Sequence, residues 1–306
     1  RQMCIRDGII GAGAVALEFA SLWNAAGCEV TLLIRKDRVL STWERRASMT
    51  LTRELKRRGV NVIARTAVDR VDTGANLGAT VHYRQGDSDE DRTAYGEVVL
   101  AAIGRVPNTD ADWFRSSGLK LDERGYVTVD GYGRTNLDGV WALGDITPGH
   151  ALAHRAFEQG ITIAEKIDGA DPKPVIDDTV PQVVFSFPEA ASVGLTLDQA
   201  KAREDVVEPK ETAYPMLSNA RMLMSGEGGS MTVVSGAFAN NPDMQVVLGV
   251  HIVSPIASDL IAEAEQLVGN RVPLADAARL IHPHPTFSET LGEALLKADG
   301  RPLHTR

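Results

Sequence analysis

Four groups of residues have types and spacings that could do chemistry. The first is Gly11-Ala12-Gly13-Ala14-Val15-Ala16-Leu17-Glu18, which follows the branched pair Ile9-Ile10. Gly11 permits a tight turn, Gly13 lets backbone come close to a ligand, and the small Ala16 lets a helix pack on the strand before it. A helix that starts this way presents unpaired amides to an anion, and the expected anion is the pyrophosphate of a dinucleotide, although a plain tight turn uses the same glycines. The second group is Arg35-Lys36-Asp37-Arg38, just after a strand expected over 29–34. An acid at this place would hold a ribose 2′-hydroxyl, whereas a guanidinium can pair with a 2′-phosphate and has no acceptor for a hydroxyl. The third is Asp145, at the C-terminal end of a strand expected over 140–143. Open α/β sheets bind ligands there, although an Asx turn uses the same residue. The fourth is His284-Pro285-Thr286 with Ser288-Glu289. An imidazole titrates near neutral pH, and a carboxylate on its second nitrogen fixes the tautomer and favours the protonated form. The local pattern suits a helix-capping loop as well.

Elements must position these groups. The first helix carries Val15, Phe19 and Leu22 as its apolar face and stops near Gly27. A second helix is expected over 43–58, with Met49, Leu51 and Leu55 as apolar positions and Gly59 as its stop. Strands follow at 60–64, 67–71, 80–83 and 97–103, with a charged turn at 86–92. Short strands at 126–129 and 140–143 precede a helix over 152–167, and 168–180 reads as a linker. Beyond it, Thr196-Leu197-Asp198-Gln199 is a capping box. Strands at 231–238 and 246–253 flank the loop Asn240-Asn241-Pro242, and helices are expected over 258–268 and 273–279. Alternation in the first half means α/β; strands grouped with helices in the second half mean α+β. Residues 1–8 read poorly as the buried strand that should precede Gly11, because Arg6-Asp7-Gly8 puts two charges and a glycine there. The expectation is that this leader is not native and that the true chain begins earlier.

The 306 residues suffice for two or three domains, and a net charge of −9 argues against a general nucleic-acid binder. Cys4 and Cys28 are too few for a disulfide framework and lack metal-site spacing. No run approaches a membrane span and no signal peptide is present, so a cytoplasmic protein without a membrane partner is expected.

Taken in order, several landmarks resemble the flavin-dependent pyridine nucleotide-disulfide oxidoreductases. They are the stretch from Gly11 to Glu18, Ala102-Ile103-Gly104-Arg105-Val106-Pro107-Asn108, Ala142-Leu143-Gly144-Asp145, and Leu152-Ala153-His154-Arg155-Ala156. Val180-Pro181-Gln182-Val183-Val184-Phe185 and the run from His282 to Glu289 complete the set. The tail, Leu291-Gly292-Glu293-Ala294-Leu295-Leu296 with Gly300-Arg301-Pro302-Leu303-His304, looks most like actinobacterial dihydrolipoamide dehydrogenases.

The resemblance implies a fold of α/β Rossmann-like dinucleotide-binding domains followed by an α+β dimerisation domain. The implied parts are a nicotinamide domain over 1–105, the C-terminal part of a flavin domain over 106–176, and a dimerisation domain over 177–306. Implied cofactors are FAD and NAD or NADP. Gly11, Gly13, Ala16, Glu18 and Gly104 would line the nicotinamide cofactor's site, with Val68 near its adenine side. Arg35 stands where most dihydrolipoamide dehydrogenases carry an acid and bind NAD, which leans toward NADP. Asp145 would bond the flavin's ribitol chain, and the backbone of Ala153 and His154 would lie near its pyrimidine end. His284, paired with Glu289, would take and return the proton of thiol–disulfide exchange across the boundary of a homodimer, from a loop whose His-Pro peptide is cis. His282 reads as packing.

The family's leading flavin segment and its Cys-x4-Cys disulfide are absent from this sequence, which therefore reads as an N-terminally truncated enzyme expected to be inactive alone. The implied substrate is a dithiol or disulfide: protein-bound dihydrolipoamide on a lipoyl domain first, mycothione or glutathione disulfide second. A third reading, of a different class, is a non-catalytic protein that binds nucleotide or only dimerises.

Overall fold

The computed structural model describes residues 6–74 and 78–305. Cys4 and the start of the expected leader lie outside them. In chain order the elements begin with β1 (Arg6–Ile10), α1 (Ala14–Ala25), β2 (Glu29–Ile34), α2 (Arg45–Arg57) and β3 (Asn61–Ala64). Then come β4 (Thr66–Thr73), β5 (Ala79–Gln85), β6 (Arg92–Gly96), β7 (Val98–Ala101), α3 (Asp112–Ser116) and α4 (Ala153–Ile167). The rest is β8 (Gln182–Val184), β9 (Glu189–Gly194), α5 (Leu197–Ala202), β10 (Val206–Tyr214), α6 (Ala220–Ser225), β11 (Ser230–Phe238), β12 (Asn241–Ser254), α7 (Ala257–Gly269), α8 (Leu274–Ala277) and α9 (Glu289–Ala298).

The chain divides into two compact units. One joins Arg1–Gly104 with Val183–Arg306; the other is Arg105–Gln182. The larger unit holds a parallel sheet of order β3-β2-β1-β7, a three-stranded meander β4-β5-β6, and an antiparallel sheet of order β10-β11-β12-β9-β8. The core around its parallel sheet is not closed by the first hundred residues. Val184, Ala190 and Val253 pack into the same cluster as Ile9, Leu17, Leu32 and Leu51, and α2 lies against β11 and β12. A second cluster fills the space between the antiparallel sheet and helices α7, α8 and α9, around Met231, Val250, Leu267 and Leu291. The smaller unit has its own core of Phe114, Val127 and Ala142.

Several expectations are corrected. The buried strand for which Arg6, Asp7 and Gly8 read poorly does form: they are the first three residues of β1, paired in parallel with β2 and, from Asp7, with β7. The charges are tolerated because Arg6 meets Glu29 at the surface and buried Asp7 accepts the Val98 amide at 3.3 Å. The apolar face of α1 is also different. Val15, Phe19 and Leu22 are exposed, and Ala16, Leu17 and Ala20 are the residues buried against the sheet. The face that meets the sheet is rotated from the expected stripe, and its small Ala16 and Ala20 let the helix approach closely beside Leu17. In α2, Leu51 and Leu55 are buried but Met49 is exposed.

The strands expected at 126–129 and 140–143 reduce to isolated bridges, Leu121 with Val127 and Arg134 with Trp141. A strand needs a neighbour along its length, and the described residues of this unit provide only these single pairings. The loop expected at Asn240-Asn241-Pro242 is a tighter turn of Ala239 and Asn240, because Phe238 pairs with Asn241. The helix expected over 273–279 contracts to α8. The capping box at Thr196 and Gln199 forms with both bonds in place.

Candidate functional site

The turn between β1 and α1 is built by two glycines with different jobs. Gly11 has φ +138°, and a Cβ there would lie 2.2 Å from the carbonyl oxygen of Ala102, so only glycine fits between β1 and the end of β7. Gly13 is exposed and opens α1 from an extended conformation with no side-chain cap, and a Cβ there would meet nothing within 4 Å. The start of this 12-residue helix is exposed at Gly13, Ala14 and Val15, with no side-chain cap and no acid in the first turn. That is the chemistry an anion needs. Ala16 is fully buried beneath.

Glu18 does not reach toward that opening. Its carboxylate is half-buried and accepts the main-chain amide of Phe185 at 3.0 Å. Arg35 and Lys36 are exposed just past β2 and make no ion pair among the described residues. Arg38 is turned inward, to Asp37 at 3.0 Å and the Ser41 carbonyl at 3.1 Å. Val68, half-buried in β4, packs on the cluster of Ile10, Leu33, Val81 and Tyr83. Gly104 is exposed, with φ +134°.

In the smaller unit, Asp145 sits in a short 3-10 turn, Gly144–Ile146, half-exposed and 3.3 Å from Arg105. Ala153 and His154 form the exposed first turn of α4, which has no side-chain cap. The ring of His154 meets the Pro181 carbonyl at 2.7 Å. Two residues that the sequence reading gave no role fix this end. Buried Arg155 donates to Asp177 and to the Pro148 carbonyl, each at 2.6 Å. The Gln159 side chain accepts the Gly144 amide at 2.9 Å and so positions the turn that carries Asp145.

At the C-terminal end, His284 Nδ1 lies 2.8 Å from Glu289 Oε1, while Glu289 Oε2 accepts the Thr286 amide at 2.8 Å. The His284-Pro285 peptide is cis. An ionised carboxylate can only accept, so the pairing places the hydrogen on Nδ1 and leaves Nε2 as the basic nitrogen. The ring is largely exposed, at 70% of its side-chain surface. Burial pushes the Glu289 carboxyl up, but the Thr286 amide, His284 and His282 outweigh it and hold the group below the ordinary glutamate range. His282 is turned inward, 2.9 Å from Glu263 and tight against Gly292, where a Cβ would lie 2.5 Å from its ring. Its bond to Glu263 raises its pKa against the opposing effect of burial.

The only cysteine among the described residues, Cys28, is buried in the core around the parallel sheet. No helix is long and apolar enough to cross a membrane, and no group of three or more metal-ligating side chains occurs among the described residues.

The uncapped start of α1 at Gly13, the uncapped start of α4 near Asp145, and the His284–Glu289 pair are the described features best suited to chemistry. The chain belongs to the pyridine nucleotide-disulphide oxidoreductase family: that family's description matches residues 6–160, and its dimerisation domain matches residues 180–295. It is 37% identical over 299 residues to a dihydrolipoyl dehydrogenase of Cupriavidus necator, covering 97% of this chain and 61% of that protein. A dihydrolipoyl dehydrogenase of Geobacillus stearothermophilus is 35% identical over 302 residues, with 97% and 61% covered. Among solved structures, LpdA from Mycobacterium tuberculosis superposes with a TM-score of 0.84 at 29% identity, over 96% of this chain and 62% of that one. The chain thus spans about three fifths of the length of the relatives it matches.

Proposed function

We propose that this chain serves two-electron transfer between a nicotinamide cofactor, FAD, a redox disulfide and a dithiol, in the manner of its dihydrolipoyl dehydrogenase relatives. The observation that carries the reading is the His284–Glu289 pair. Only the thiolate is a nucleophile in thiol–disulfide exchange, so a proton must be accepted and later returned near neutral pH. Nε2 of His284 accepts it, and Glu289 keeps the other nitrogen protonated and the ring oriented.

In this reading the residues over 1–105 bind the nicotinamide cofactor. The open first turn of α1 at Gly13, above the close approach of Gly11, would hold the pyrophosphate, with Ala16 packing the helix down. Gly104 would border that cofactor, Val68 its adenine side, and Glu18 would keep α1 in place through Phe185. The residues over 106–176 suit a flavin: Asp145 would accept hydroxyl hydrogens of the ribitol chain, and the first-turn amides at Ala153 and His154 would face its pyrimidine carbonyl. When bound, the flavin passes two electrons between nicotinamide and disulfide. The residues over 177–306 would form a two-fold homodimer that presents His284 to the partner subunit's dithiol.

Protein-bound dihydrolipoamide is the first substrate, in keeping with the relatives. A second reading, an NADPH-dependent reductase of a small disulfide such as mycothione or glutathione disulfide, is favoured by Arg35, which stands exposed where NAD selection would need an acid. The test has two arms. The chain should bind NADH or NADPH with micromolar affinity and scatter light as a dimer. In a full-length, flavin-loaded enzyme that carries the redox disulfide, His284→Gln should lower lipoamide turnover about 10²–10⁴-fold. Turnover within a few-fold of wild type would remove His284 from the mechanism. Failure to bind either nucleotide would remove the dinucleotide reading.

A further inference from the structure

Thr286, two residues after His284, is tied at each of its polar groups. Its amide donates to Glu289 Oε2 at 2.8 Å. Its hydroxyl donates to the Pro283 carbonyl at 2.6 Å and meets the Ser288 hydroxyl at 2.8 Å. These partners all lie in the loop or in the first residue of α9. They orient His284 within the loop, but they do not fasten the loop to the sheet. The Thr286 carbonyl has a distant partner instead. It accepts Nδ2 of Asn219 at 3.1 Å, from a residue 67 positions earlier in the chain.

Asn219 stands at the start of α6, 5% exposed, and uses both ends of its amide. Oδ1 accepts the Met222 amide at 3.0 Å and caps the helix, while Nδ2 faces Thr286. An N–H on one side and a carbonyl on the other fix which end is which. Capping alone does not require this, because Ser and Asp cap about as well as Asn. The nitrogen is surplus to the cap, and the loop is what it serves. The same helix supplies Arg221, whose guanidinium lies 5.5 Å from the centre of the Phe287 ring, and Phe287 packs on the core between the antiparallel sheet and its helices. An unbroken set of contacts thus runs from Asn219 to Thr286 at 3.1 Å, to Glu289 at 2.8 Å and to His284 at 2.8 Å.

We propose that Asn219 is a positioning residue: by holding the Thr286 carbonyl it fastens the loop that aims His284. Proton transfer needs its two heavy atoms within about 2.6–3.2 Å. A loop freed from α6 spends less of its time at such a distance, even with the His284–Glu289 bond intact. The inference rests on reading His284 as the proton acceptor, but the fastening itself is measured without turnover.

The experiment removes the donor and keeps the cap. Asn219→Ser retains a capping oxygen on a shorter side chain without the amide nitrogen. Asn219→Asp retains the shape and sets an oxygen against the Thr286 carbonyl. Hydrogen exchange in the intact chain, read by mass spectrometry, should quicken about 2–10-fold over 284–289, the effect of one lost hydrogen bond, while α6 keeps its protection. Unchanged exchange over 284–289 in both variants would overturn the proposal. So would loss of α6 protection in both, which would make Asn219 a cap and nothing more. In a full-length, flavin-loaded enzyme that carries the redox disulfide, Asn219→Ser should lower kcat with lipoamide about 2–10-fold and leave KM for the nicotinamide nucleotide unchanged. Added to His284→Gln it should lower turnover no further, as a general loss of structure would. A loosened loop with wild-type kcat, beside a crippled His284→Gln enzyme, would also overturn the positioning role. If His284→Gln itself turns over within a few-fold of wild type, the reading of His284 fails, and the exchange result still decides whether Asn219 fastens the loop.

Discussion

The carboxylate of Glu18 accepts the main-chain amide of Phe185 across 3.0 Å, joining α1 to the residue that follows β8. Three residues on, the Ser21 hydroxyl accepts the Phe187 amide at the same distance. Both amides lie at the surface, so each bond is of ordinary strength. Glu18→Ala should cost about 1 kcal/mol, read as a lower midpoint of urea unfolding. Because the bond lies within one compact unit, the loss should appear in a single cooperative transition. Separate transitions for the two ends would refute that view.

Gly11→Ala should be far more damaging. The added carbon meets the Ala102 carbonyl at 2.2 Å, and its backbone angle suits no side chain. The cost should reach about 2 kcal/mol or more, with loss of nicotinamide nucleotide binding. Gly13→Ala, where the space is open, should weaken binding with little effect on stability. Comparing the two by thermal melting with and without nucleotide separates fold from site.

Arg35→Glu should move the preference from NADPH toward NADH by about 10–100-fold, the range of one charge-assisted contact. The check is a fluorescence titration with each nucleotide. Wild-type chain that binds NADH as tightly as NADPH would end the argument from Arg35. Arg38 should matter less, since Asp37 and the Ser41 carbonyl already occupy it.

Two inward-facing histidines should give stability opposite slopes with pH. Glu263 raises the pKa of His282 in the folded chain. Its contribution is therefore complete below the unfolded value, about 6.5, and is lost as pH rises through the raised folded value. His282→Gln should cost more at about pH 6 than at about pH 8. His251 is buried, bonded to Ser192 at 2.7 Å and the Leu195 carbonyl at 3.2 Å, and burial lowers its pKa against the pull of Glu44 and that carbonyl. It supports the fold above the unfolded value and less as pH falls through the folded one, so His251→Gln should cost more at about pH 8. Urea midpoints at both pH values test the pair.

The glycine turn, the capping box at Thr196 and the His284–Glu289 spacing were legible because each rests on a local constraint: a backbone angle, a three-residue reach, a five-residue loop. The orientation of α1 was not. Val15, Phe19 and Leu22 form a convincing apolar stripe, yet the face buried against the sheet is that of Ala16, Leu17 and Ala20, whose two alanines let the helix come close to the strands. Nor was β1 legible, since buried Asp7 is offset by the Val98 amide, a partner more than ninety residues away. The part played by Asn219 was hidden too, because the carbonyl it holds, that of Thr286, lies 67 residues further on.

The core that Ile9 shares with Val253 has a consequence for synthesis. A ribosome delivers β1 long before β12, and the nucleotide-side core lacks part of its lining until the later strands have emerged. Closing so long a loop delays the contacts that make the unit cooperative. The early parallel strands, with their apolar faces incomplete, would meanwhile be natural clients for holding chaperones, and a stalled or prematurely released chain should be more prone to aggregate than the finished one.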